Sequence, residues 1–130
     1  MESIPTFLGE ARWRILLSWI AGDETRKGSD MAAYLIADIT ITDPEAYQEY
    51  SRQVGATVAN LERFGGRPIV NGATSQPEAV EGDWKPTRIL VLEFPNMEQA
   101  RAWYDSPEYV AIRGIRQRAS ESRMIFVHGV

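Results

Sequence analysis

From residue 31 onward the apolar residues change period in a fixed order, and that order leaves few folds open. Residues 31–41 alternate as a strand does: Leu35, Ala37, Ile39 and Ile41 share one face, and Tyr34, Ile36, Asp38 and Thr40 the other. Asp43 and Pro44 then supply a helix cap and a first-turn proline. Tyr47, Tyr50, Val54, Val58, Leu61 and Phe64 step by three or four residues, which predicts one long helix ending at Gly65-Gly66. Gly55 falls inside it, where close packing against a sheet would explain the missing side chain.

The second half repeats the pattern. Residues 67–71 read as a short strand, and Pro68 puts it at an edge. Residues 72–86 form a long loop or a loose hairpin arm, and residues 87–94 a strand apolar on both faces, as a central strand is. Asn96 and Gln99 have capping-box spacing before a helix through Trp103. Ser106-Pro107-Glu108 begins another helix with Tyr109, Ile112, Arg116 and Ala119 on one side. Residues 124–128 close the sheet. The sum is an α+β, ferredoxin-like β-α-β-β-α-β domain over residues 31–130, a four-stranded antiparallel sheet with its helices on one face. Within it, the first and third strands are expected side by side and parallel. The uncovered face is apolar enough to need a partner. A second copy of the chain, sheet against sheet, meets that need as a homodimer, because an apolar face left wet forfeits roughly 25 cal/mol per Å².

Bulk properties exclude more than they assign. The chain has 130 residues, a length for one domain, and no cysteine, which fits a reducing, cytoplasmic setting. Net charge is −4, acidic over residues 31–83 and mildly basic after them. No basic stripe interleaved with aromatics suggests nucleic acid, and the longest apolar run, Ile15 to Ala21, is too short to span a membrane. Residues 1–30 read as an extension: an amphipathic helix carrying Phe7, Leu8, Ala11, Ile15 and Trp19, then a polar linker. Four readings of it stand open. It is a stretch upstream of the functional start at Met31, a helix docked on the domain or its partner, a secretion signal, or a surface membrane helix.

The residues also carry a resemblance. Asp43-Pro44 with Tyr47 and Tyr50, Gly65-Gly66, Glu81-Gly82, Pro86 and Arg88 occur in order, followed by residues 91–95 (Val-Leu-Glu-Phe-Pro). Ala100, Trp103-Tyr104, Ser106-Pro107, Tyr109 and Arg113 complete the set. From Tyr34 to Gly129 the chain resembles the DUF1330 family, small domains of unassigned function. The resemblance implies a ferredoxin-like fold paired into a dimeric α/β barrel. It implies no substrate, and chemistry taken from other such barrels rests on fold analogy alone.

Candidate chemistry is therefore read residue by residue. With the first and third strands parallel, Asp38 and Glu93 would sit near one end of the sheet on its non-helical face. Two such carboxylates could split their pKa values and serve as general acid and base, or each could pair with an arginine or cap a loop. Arg88 could clamp a substrate carboxylate in bidentate fashion, or bridge to Glu81 or Asp83 across the loop. His128, the single histidine, is a candidate proton shuttle or a surface residue near the terminus. Alone, it makes no metal site, and nothing else in the chain points to haem, so no cofactor is expected. Tyr34, on the mixed face of the first strand, and Tyr104 are candidates to line a pocket for a planar molecule. The other rings, Tyr47, Tyr50, Trp84, Trp103 and Tyr109, are assigned mainly to packing. No phosphate loop, nucleophile elbow or dinucleotide fingerprint occurs. The functional expectation is a homodimer that binds a small organic acid or aromatic compound and transforms it without a cofactor. Its rival is a non-enzymatic binding or regulatory module.

Overall fold

The computed structural model describes residues 31–130. The readings made for residues 1–30 lie outside the described residues. Strand β1 (Ala33–Ile41) leads to helices α1 (Pro44–Ala56) and α2 (Val58–Arg63), then to strands β2 (Arg67–Val70) and β3 (Ile89–Phe94). Helices α3 (Met97–Tyr104) and α4 (Pro107–Ala119) precede strand β4 (Ser120–His128). The strands lie in the order β2-β3-β1-β4, with the helices over one face. This is the α+β, ferredoxin-like arrangement that the apolar pattern predicts.

Every neighbouring pair of strands is antiparallel, including β1 with β3. That corrects the parallel pairing expected for those two. The α1–α2 crossover carries β2 past one place in the sheet, and β3 returns into that place, so it runs against both neighbours. The consequence falls on the proposed carboxylate pair. Asp38 stands opposite Ile89 and Glu93 opposite Tyr34. The two acids are thus four residues apart along the ladder, about 13 Å at ~3.3 Å per residue.

The expected single helix over residues 44–64 is broken at Thr57. Thr57 leaves helical geometry at φ −108° and ψ 20°, and its hydroxyl and N–H both donate to the Val54 carbonyl. Its side chain thereby satisfies the carbonyl that would otherwise continue the ladder. Gly55, assigned to close packing, has open space where a Cβ would stand.

Caps hold the helix starts. Asp43 accepts from the Ala46 N–H at 3.1 Å, Asn96 from Gln99 at 2.8 Å, and Ser106 from Tyr109 at 3.3 Å. The core is the layer between sheet and helices. Leu35, Ile39 and Phe94 face it from the strands, and Trp103, Tyr109 and Ile112 from the helices. The opposite face of the sheet is banded rather than uniformly apolar. The register sets Val70, Val91, Ile36 and Ile125 in a row across all four strands. One flank of that row carries Arg67, Glu93, Tyr34 and Val127, and the other Ile89, Asp38 and Arg123.

Candidate functional site

Strand alternation sorts the candidate residues onto two faces before any chemistry is considered. Leu35, Ile39, Leu90 and Leu92 point toward the helices, and Arg88, two positions before Leu90, joins that side. The break after α1 leaves a cavity there of about 420 Å³, large enough for a small organic molecule. Its walls are mainly apolar: Leu35, Ile39, Val54, Leu61, Leu92 and Met124 among others. Its polar groups are few, chiefly Arg88 and the phenols of Tyr47, Tyr50 and Tyr109.

Arg88 lies over the Tyr47 ring, its guanidinium carbon 5.3 Å from the ring centre. Among the described residues no carboxylate comes within ion-pairing distance of it, so the bridge to Glu81 or Asp83 does not form. Gly72 presses on the stem of Arg88 so closely that a Cβ there would meet Cγ at 2.8 Å. Burial pushes the Tyr47 phenol above its ordinary pKa, and the nearby guanidinium groups of Arg88 and Arg116 oppose that rise.

Deeper in, Tyr50 and Tyr109 share a hydrogen bond of 2.7 Å between their hydroxyls. Burial raises the pKa of Tyr50 far above the phenol range, so it stays protonated at any physiological pH. Behind them Arg116, only 3% exposed, donates from Nε to the Tyr109 hydroxyl at 3.4 Å and from Nη1 to Ser122 Oγ at 2.7 Å. Among the described residues, both of its side-chain acceptors are neutral oxygens. Trp103 stacks on Tyr109 with ring centres 4.2 Å apart and fixes that ring.

The other expected site residues lie elsewhere. Tyr34 donates to Glu93 Oε2 at 3.0 Å, and Arg67 donates from Nε to Oε1 of the same carboxylate at 2.8 Å, all on the open face. Arg67 first, then Tyr34, holds the Glu93 carboxyl below its ordinary pKa, which suits an anchored anion rather than a general acid. Asp38 accepts from the Trp84 indole at 3.1 Å, which ties the long loop to the same face. Asp38 and Glu93 therefore do not converge on each other or on Arg88, which lines the helical side. His128 ends β4 as an exposed residue. Tyr104 packs edge-on against Phe126 and under the Arg113 guanidinium, 4.5 Å from its ring centre, away from the cavity. Among the described residues no group of three or more potential ligands gathers for a metal. No described helix is long and apolar enough to cross a membrane.

The residues missed as site candidates are Tyr47, Tyr50, Tyr109 and Arg116. Three of them are rings that the sequence pattern assigns mainly to packing. The fourth carried a signal, a cation on an otherwise apolar helix stripe.

A family model, that of a domain of unknown function (DUF1330), matches residues 32–130. The chain belongs to the DUF1330 family. No curated protein matches the DUF1330 chain significantly. Among solved structures it is similar to a protein of unknown function from Rhodopseudomonas palustris, at TM-score 0.61 and 19% identity over 90% of this chain and 92% of that one. A conserved protein of unknown function from Bacteroides thetaiotaomicron matches at TM-score 0.53 and 12% identity, over 77% and 99%. A conserved protein from Methanosarcina mazei matches at 0.52 and 15%, over 79% and 97%. At these identities the likeness is one of fold.

Proposed function

We propose that the DUF1330 domain binds a small organic acid with an aromatic or otherwise apolar body in the cavity between α1 and the sheet. The observation that carries this reading is Arg88: a cation at an apolar cavity, cushioned on Tyr47, with no described carboxylate to satisfy it. Such a group offers two parallel N–H donors to a ligand carboxylate, while the apolar wall takes the body of the molecule. In this reading Glu93, Tyr34 and Asp38 order the open face and its loop. Cofactor-free transformation of the ligand is the enzymatic version of the proposal.

The open face supports a second element, pairing with another copy of the chain. The row of Val70, Val91, Ile36 and Ile125 leaves Ile125 57% exposed, and Trp84 above the same face is 59% exposed. Charges of both signs flank the row, Arg67 and Glu93 on one side and Asp38 and Arg123 on the other. A two-fold axis can therefore set unlike charges together.

Thermal shift with benzoate tests the site. Benzoate is expected to raise Tm in wild type and to lose most of that effect in Arg88→Met, whose unliganded Tm stays close to wild type. An equal shift in both proteins, or none in wild type, contradicts the reading.

A further inference from the structure

The inner end of the cavity contains a hydrogen-bond count that does not close. Tyr109 and Tyr50 each have one hydroxyl proton, and one of the two is spent in the 2.7 Å bond between them. Arg116 is a donor only, and it donates to the Tyr109 oxygen, so it takes neither proton. Whichever phenol donates within the pair, the other keeps a proton with no acceptor among the described residues. Both phenols line the cavity.

The groups behind the pair give that spare proton a preferred partner. Arg116 is almost fully buried, and its described side-chain partners, Tyr109 and Ser122, are neutral. Its charge reaches the cavity through the phenols, because each hydrogen bond in a chain polarises the next. A neutral or electron-rich oxygen placed against them is stabilised, whereas an apolar group there leaves the donor unsatisfied.

We infer that the cavity has a second polar subsite at Tyr50 and Tyr109, backed by Arg116, which takes an acceptor oxygen of the ligand separate from its carboxylate. The ligand class narrows accordingly, from an organic acid to one carrying a carbonyl, enolate or phenolate oxygen in addition to the carboxylate. This inference rests on the reading of Arg88 as the carboxylate anchor.

Two probes of similar size separate the cases, 4-formylbenzoate with a distal acceptor oxygen and 4-methylbenzoate without one. Calorimetry on the full chain is expected to find the formyl compound about tenfold tighter, the worth of one well-made hydrogen bond. Tyr50→Phe and Tyr109→Phe each leave one hydroxyl proton, so each single variant retains part of the preference. The double variant leaves none, and its preference falls to about one while 4-methylbenzoate affinity stays nearly unchanged. Equal affinity of the two probes for wild type overturns the inference without recourse to any variant, as does a preference that survives the double substitution in a folded protein. Binding of 4-methylbenzoate that depends on Arg88, with no preference between probes, removes this subsite alone. Failure of both probes to bind removes the organic-acid reading with it.

Discussion

Arg116 shows how much one residue can carry when its surroundings are counted. A guanidinium buried to 3% exposure without a described carboxylate is costly to desolvate, and hydrogen bonds to neutral oxygens offset only part of that cost. The proposed subsite accounts for its presence by binding rather than by stability. Arg116→Met keeps the apolar stem and removes the charge, so urea unfolding is expected to give a stability within about 1 kcal/mol of wild type. A loss of 3 kcal/mol or more would make it a structural residue. The clue was visible in the sequence, since Arg116 shares a helix stripe with Tyr109, Ile112 and Ala119. What the sequence could not supply was the set of acceptors, because Ser122 comes to Arg116 from the strand that follows and Tyr109 from two turns back along the same helix.

Among elements, the long loop and the broken helix shape the cavity together. The loop brings Gly72 against the Arg88 stem, and the residues at the helix break, Gly55, Thr57 and Val58, line the cavity. Gly72→Ala places a methyl 2.8 Å from Arg88 Cγ, and a flexible side chain yields more readily than backbone. Benzoate affinity measured by calorimetry is therefore expected to fall several-fold, with stability changed by less than about 1 kcal/mol. Unchanged affinity would show that the exact seat of Arg88 does not matter. The element types and their order were legible because period-2 and period-3.6 patterns, Asp43-Pro44 and Ser106-Pro107 are local signals. The direction of β3 relative to β1 is not local; it follows from which place in the sheet each strand takes. Reading it as parallel put Asp38 and Glu93 together, when the ladder keeps them four residues apart.

At the scale of the whole molecule, the proposal gives the two faces of the sheet different work. The helical face encloses the cavity proposed to take the ligand, and the open face carries the apolar row through Ile36 and Ile125 that a second copy would cover. Ile125→Asp puts a charge at the β4 end of that row, on the face opposite the cavity. Sedimentation is expected to show a dimer for wild type and a monomer for the variant; a wild-type monomer at micromolar concentration would contradict the pairing. The separation of faces also makes the ligand site directly locatable. Amide and side-chain NMR shifts recorded during titration with benzoate should change at Tyr47, Tyr50, Arg88 and Tyr109 and stay still at Tyr34, Asp38 and Glu93. Shifts concentrated instead on those three open-face residues would contradict the central claim that the cavity beneath the helices is where this protein takes its ligand.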